Sequence, residues 1–187
     1  MDKNNKLKQK NQTTMNIYAE TERLILREIL PTDIDGMFAL DSDPEVHRYL
    51  GNNPVTDKSQ VADVIAFIRQ QYVDYGIGRW AIIDKQTNDF IGWAGLKYIT
   101  DETNGHKHYY DLGYRLVQRY WGKGIATEAA FAVLQYGFDK LGLTDMYAIA
   151  DCDNTGSNTI LTKLGFRFVE IFQYDDISCN WYHIQKP

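Results

Sequence analysis

The segment Arg119-Tyr120-Trp121-Gly122-Lys123-Gly124 constrains this chain most. It follows a run of strand character, 109–117, and precedes an Ala-rich run of helical character, 125–140. A strand, a short glycine loop and a helix in that order make an anion site. The first N–H groups of a helix have no partner within it, and the helix dipole favours negative charge there. Glycines let the backbone approach the anion closely. The loop therefore predicts a ligand that carries phosphate groups. It is not a P-loop, because Gly124 follows Lys123 directly where that motif needs Ser or Thr. It is not a dinucleotide fingerprint either, because Thr127 stands where the third glycine belongs.

A second segment has its own local logic. Asp153-Asn154-Thr155-Gly156-Ser157-Asn158 leads into Thr159-Ile160-Leu161-Thr162-Lys163-Leu164-Gly165-Phe166. Asn154 or Thr155 suits a helix start, and Gly165 suits a left-handed helix end. The two segments together, Arg119-x-x-Gly122-x-Gly124 and then Asn154-x-x-Ser157 with Lys163-x-Gly165-Phe166, resemble the acetyl-CoA loop and the element after it in the GCN5-related N-acetyltransferases. The resemblance runs from about Glu20 to the C-terminus. It is closest to the branch of the ribosomal-protein alanine N-acetyltransferases (RimJ/RimL-like). Thr21-Glu22-Arg23-Leu24-Ile25-Leu26-Arg27, Ile91-Gly92-Trp93-Ala94-Gly95 and Tyr120-Trp121-Gly122-Lys123-Gly124 carry that likeness.

The resemblance implies an α/β chain with the acyl-CoA N-acyltransferase fold. That fold is a mixed, strongly twisted sheet with helices on both faces, a splay between strands 4 and 5, and acetyl-CoA in the gap. The loop N–H groups of Trp121, Gly122, Lys123, Gly124, Ile125 and Ala126, with Thr127 beside them, are the expected pyrophosphate cradle. Arg119 and Lys123 add positive charge. The backbone of Leu116 and Val117 is expected to pair with the pantetheine arm, and Asn154, Ser157 and Asn158 to lie along the cofactor.

Acetyl transfer to an amine needs a proton acceptor, donors for an oxyanion and an acid for the leaving thiolate. An α-amino group titrates near ~8 and a lysine near ~10.4, so the acceptor arrives mostly protonated. Direct attack by the amine requires neither a metal nor a covalent nucleophile. Many members of the family carry a Tyr where this chain has Leu161. Ser157 holds the position of the Ser that serves the thiolate in the ribosomal-protein branch. Asp111, on the strand before the loop, and Glu170, after Gly165-Phe166, are the two candidate bases, acting directly or through water. Trp80, Trp93, Tyr98, Tyr109 and Tyr110 are candidates to line an acceptor cleft. His106-x-His108 is a weak metal pattern without a visible third ligand, and no metal is expected. The acceptor implied is a protein N-terminal α-amino group. A small amine (polyamine, amino sugar or antibiotic) and a non-catalytic acyl-CoA-binding role are the alternatives.

Composition bounds the rest. A length of 187 residues suits one domain, and 44% hydrophobic with 24% charged residues is ordinary for a globule. The net charge of −5 includes Lys3, Lys6, Lys8 and Lys10 against Asp2 in the first stretch, so the body is more acidic still. An acidic body argues against nucleic acid as the main ligand. No apolar run approaches the ~20 residues that span a bilayer. Cys152 and Cys179 lack metal or redox spacing, which fits a reduced, cytoplasmic setting. A disordered polar tail is expected over 1–16, with Met15 as a possible native start, and one N-acetyltransferase domain over 17–187. A monomer and a homodimer both fit. Apolar periodicity predicts strands at 23–28, 79–84, 90–99, 109–117, 146–151, 167–174 and 179–184. It predicts helices at 31–40, 57–75, 125–140 and 154–164, with a short turn of helix from Asp43.

Overall fold

The computed structural model describes residues 15–187. The expected disordered tail therefore lies outside the described residues, apart from Met15 and Asn16. Asn16 already engages the sheet, its carbonyl accepting the N–H of Glu28 at 3.0 Å.

An eight-stranded sheet runs in the order β1-β2-β3-β4-β5-β6-β8-β7. Its strands are β1 Ile17–Glu20, β2 Leu24–Glu28, β3 Arg79–Asp84, β4 Phe90–Ile99, β5 Tyr109–Leu116, β6 Asp145–Asp151, β7 Arg167–Tyr174 and β8 Ile177–Gln185. The helices are α1 Ile34–Asp41, α2 Pro44–His47, α3 Lys58–Tyr75, α4 Ile125–Asp139 and α5 Thr155–Lys163. All neighbours pair antiparallel except β5 and β6, which are parallel. The expected element order holds, with one addition. β1 did not stand out in the sequence, and it pairs with β2 across a bulge. Tyr18 of β1 stacks on the buried Trp80 at 4.5 Å, so the edge strand is fastened by an aromatic contact as well as by its ladder.

Alternation along the strands divides the core in two. On one face Leu24, Leu26, Trp80, Ile82, Leu96 and Leu112 meet α4, which buries Ala129, Ala130, Val133 and Phe138, and α5, which buries Leu161. On the other face Ile29, Ala81 and Ile83 meet Met37 and Leu40 of α1 and Val61, Ile65 and Ile68 of α3. Burying one such side chain contributes about 1.5–3 kcal/mol, against a few tenths that separate most helix propensities. The apolar stripes, rather than propensity, therefore decide where the helices lie. Local chemistry then sets their ends. Asp57 and Gln60 form a capping box at the start of α3, and Gly76 ends it at φ 69°.

The sheet opens at one place. β5 and β6 pair at Asp111↔Tyr147, and no register pair follows it. Beyond that point β5 continues to Leu116 and β6 to Asp151 with a gap between them. Counted without β1, these are the fourth and fifth strands, where the splay is expected. The glycine loop leaves β5 at one side of the gap, and α5 follows β6 at the other.

Candidate active site

Backbone geometry makes the glycine loop. After β5 a short 3-10 turn, Gln118–Tyr120, carries the chain into Gly122 at φ 71° and Gly124 at φ 75°. Both are left-handed, a conformation that side chains with a Cβ disfavour. A Cβ on Gly122 would meet nothing within 4 Å, so that glycine serves conformation and open space rather than packing. The first helical bond of α4 runs from the N–H of Glu128 to Gly124. The N–H groups of residues 122–127 consequently find no acceptor among the described residues, and they crowd at the positive end of a long helix. One expected member drops out. The N–H of Trp121 donates to the Gln118 carbonyl at 2.9 Å, closing the 3-10 turn, so it does not belong to the cradle.

Charge around the loop is arranged by residues that the motif did not announce. Arg23 donates to the Lys123 carbonyl at 2.9 Å and, through Nε, to Glu128 Oε2 at 2.6 Å. Thr21 donates to the same carboxylate at 2.5 Å. The strand pair β1–β2 thereby clamps the loop and neutralises the acid in the first turn of α4. Arg119 and Lys123 lie over the Tyr120 ring at 5.0 and 5.5 Å, with their charges in solvent beside the free amides.

Strand parity decides which backbone groups enter the gap. The N–H of Val117 donates to Ile91 at 3.1 Å, and its carbonyl accepts from Tyr120 at 2.9 Å. Val117 is therefore bound to β4 and the turn, and it cannot pair with an arm in the gap. This corrects the expectation for that residue. Leu116 forms the neighbouring pair with Gly92, so its N–H and carbonyl turn the opposite way, toward β6. The same parity holds for Tyr114. The Trp121 indole donates to the Leu116 carbonyl at 2.8 Å, leaving the Leu116 N–H as the open donor. Gly92 makes the close pairing at this point feasible, since a Cβ there would lie 2.1 Å from the Arg115 carbonyl oxygen.

On the α4–α5 face, Ser157 is in the first turn of α5. Asn154 caps that helix, its Oδ1 accepting the Ser157 N–H at 3.0 Å. The Ser157 Oγ sits 3.0 Å from the hydroxyl of Tyr114, which reaches across from β5 and also donates to the Ser157 carbonyl at 3.1 Å. Burial pushes the Tyr114 phenol up to about 12, so it stays protonated and donates. Its partner is 43 residues away in the chain, and nothing local marks it. Leu161, where many relatives in the family have Tyr, is buried in the core and brings no hydroxyl. Asn158 is corrected in role. Its Nδ2 donates to the carbonyls of Asp151, Cys152 and Asn154, and its Oδ1 accepts from Asn180 and Tyr182 at 2.9 Å each. With every polar position used, it ties α5 to β6 and β8 and has nothing left for a cofactor.

The two carboxylates sit on the opposite face. Asp111 is ion-paired with Arg79, whose guanidinium also donates to the Asp111 carbonyl at 2.8 Å. Gly113 leaves the room for that guanidinium, since a Cβ there would stand 2.8 Å from it. Burial raises the Asp111 carboxyl pKa, against the opposing pull of Arg79 and Lys97. Trp93 lies between the guanidinium groups of Arg79 and Arg115, at 5.3 and 5.2 Å. Arg115 binds Asp41 at 2.5 Å, and the buried His47 faces the same carboxylate at 3.9 Å. Glu170 stands exposed on the edge strand β7, opposite Trp181, and accepts from Asn104 at 3.0 Å. Asp111 and Glu170 thus share a face, and the Ser157–Tyr114 pair faces the other, with the gap between.

The remaining candidates separate. Trp80 is wholly buried and belongs to the core. His106 stacks on Trp181 at 5.2 Å, while His108 leans on Tyr98 at 6.1 Å, so the two rings diverge. Neither lies in a strand, because β5 starts at Tyr109. Among the described residues no group of three or more His, Cys, Asp or Glu is placed to hold a metal. Tyr109 packs against Tyr147 and Trp181, and Tyr98 against Tyr75 and Tyr110. Among the described residues no helix is long and apolar enough to cross a membrane.

A helix N-terminus with free amides beside a split parallel strand pair is suited to hold a phosphate-bearing ligand. The chain belongs to the GNAT acetyltransferases: the Acetyltransferase (GNAT) domain family matches residues 23–167. It is 38% identical over 147 residues to the uncharacterized N-acetyltransferase p20 of Bacillus licheniformis, covering 79% of this chain and 80% of that one. It is 32% identical over 174 residues to the uncharacterized N-acetyltransferase YoaA of Bacillus subtilis (strain 168), covering 90% and 96%. The fold superposes on RimL, the ribosomal L7/L12 alpha-N-protein acetyltransferase, in complex with coenzyme A, with a TM-score of 0.78 at 16% identity. That match covers 91% of this chain and 98% of RimL. The protein is an N-acetyltransferase, and acetyl-CoA is the co-substrate that its family membership brings.

Proposed function

We propose that the protein moves the acetyl group of acetyl-CoA to a primary amine by direct attack within a ternary complex. The carrying observation is the run of unpaired amides at residues 122–127 beside the open gap, with the Leu116 N–H directed into that gap. The amides hold the pyrophosphate, aided by Arg119, Lys123 and the neighbouring Arg23. The Leu116 N–H donates to the thioester oxygen as negative charge develops on it. Ser157, whose Oγ is held 3.0 Å from the Tyr114 hydroxyl, donates to the departing sulfur. Asp111, on the face opposite the Ser157–Tyr114 pair, takes the amine proton through water; its raised carboxyl supports that role over Glu170, which shares the face but stands exposed.

The paired hydroxyls in the gap favour an enzyme over a non-catalytic acyl-CoA binder. For the acceptor, the sequence resemblance favours a protein N-terminus. A small acidic and aromatic hollow between α3 and β4 favours a small amine, and we adopt that reading. The test is release of free thiol from acetyl-CoA with a panel of peptides and small amines, beside calorimetric titration of acetyl-CoA and ATP. Micromolar binding of acetyl-CoA with none of ATP, and turnover with small amines, is expected. Turnover with peptides alone would reverse the acceptor assignment, and no binding of acetyl-CoA would remove the whole reading.

A further inference from the structure

The C-terminal half of α3 and the end of β4 enclose a hollow of about 210 Å³ on the side of the sheet that carries Asp111. Phe67, Tyr75 and Tyr98 supply aromatic surface, and Asp74 and Asp101 supply carboxylates. Gln71 lines it too. Gln71 is 7% exposed, yet its Oε1 has no hydrogen-bond partner, a state that costs about 1–3 kcal/mol unless something else donates to it. The hollow also lies at the C-terminal end of α3, which closes at Tyr75, where the helix dipole is negative. Carboxylates, aromatic faces, a helix C-terminus and an unmatched acceptor all favour one chemistry, a cation with N–H donors.

The chain itself places such a group nearby. The Lys97 ammonium lies 5.4 Å from the centroid of Phe67. Lys97 also stands directly opposite Asp111 in the β4–β5 register, so the hollow adjoins the candidate base.

We propose that this hollow binds a protonated alkylamine, the distal cationic group of a small di- or polyamine acceptor. The proposal rests on the N-acetyltransferase reading above and narrows its acceptor class. Recognition by carboxylate and aromatic faces distinguishes an acceptor with a second ammonium from a simple monoamine. Lys97 competes for the same field, so it sets affinity from the opposite direction to the acids.

The experiment compares putrescine and spermidine with butylamine, first by calorimetric titration without acetyl-CoA and then as acceptors. Wild type, Asp101→Asn, Lys97→Met and Gln71→Met are used. Asp101 is exposed, so its substitution leaves the fold intact. The diamines are expected to bind and butylamine not to. Asp101→Asn should weaken binding about two- to fivefold and Lys97→Met should tighten it by a similar factor, the range of single exposed charge and cation–π contacts. Equal binding of all amines, or diamine binding indifferent to both charge variants, would overturn the proposal. Binding that follows the variants without any acetyl transfer would keep the site and sink the acetyltransfer assignment instead.

Discussion

The two hydroxyls that meet in the gap divide their work by position. Ser157 is held by its own helix start, through the Asn154 cap, while Tyr114 is held by β5. A phenol pushed up to about 12 loses no proton at neutral pH, so Tyr114 keeps the O–H that it gives to the Ser157 carbonyl and stays within 3.0 Å of Ser157 Oγ, which fixes where that hydroxyl sits in the proposed mechanism. Ser157→Ala should lower kcat about 100-fold, the scale of a lost general acid. Tyr114→Phe should lower it about tenfold, the scale of one buried hydrogen bond. The KM for acetyl-CoA should stay near wild type in both. Equal loss in kcat and acetyl-CoA affinity would make the pair structural. Across the sheet, Asp111→Asn leaves Arg79 buried without its partner, which should destabilise the fold by about 3 kcal/mol or more. In the wild type, kcat/KM should fall with acidity through a carboxylate titration displaced upward, because burial raises that pKa. A Glu170→Gln variant should retain the same profile. Loss of the profile in Glu170→Gln alone would move the base to the edge strand.

At the scale of the element, the glycine loop was legible because its requirement is local. Two left-handed residues two apart, followed by an amphipathic helix, need glycines at those places, and Gly122 and Gly124 are there. Gly122→Glu should abolish acetyl-CoA binding by placing bulk and negative charge at the free amides. A Cβ at that position meets nothing, so the cost is confined to the left-handed backbone, about 1–2 kcal/mol, and circular dichroism should still show a folded variant. Retained affinity by calorimetry would dissociate the loop from the cofactor. What was not legible depends on pairing. The sequence cannot say that Val117 turns its N–H to Ile91 and leaves Leu116 to face the gap, because parity follows from the β4 register. The resemblance places Asn158 along the cofactor, and only the arrival of Asn180 and Tyr182 from β8 shows its side chain consumed by the scaffold. β1 escaped notice because four residues carry no periodicity of their own. Its signal is Tyr18 resting on Trp80, a contact made by the fold.

At the scale of the whole molecule, one interaction joins the start of the described chain to the functional loop. Arg23 and Thr21, at the β1–β2 connection, bind Glu128 in α4, which lies more than a hundred residues on. The clamp closes the first edge of the sheet over the helix whose N-terminus carries the free amides. Burial raises the Glu128 carboxyl, but hydrogen bonds from Thr21 and Arg23 outweigh it, and the net shift is downward. A carboxylate whose pKa is lowered by folding stabilises the protein above its unfolded value, about 4.3, and that stability is lost as pH falls through the folded value. Glu128→Gln removes this contribution. The variant should therefore melt below wild type at about pH 7, and the two melting temperatures should converge as pH falls below about 4. The same substitution releases Arg23 from its acid, though not from the Lys123 carbonyl. If the clamp serves the loop as well as the fold, acetyl-CoA affinity should change together with the melting temperature at neutral pH. A melting-temperature gap that stays constant from neutral to acid pH would show that Glu128 is not charged in the folded state and that the ion pair holds neither strand nor loop.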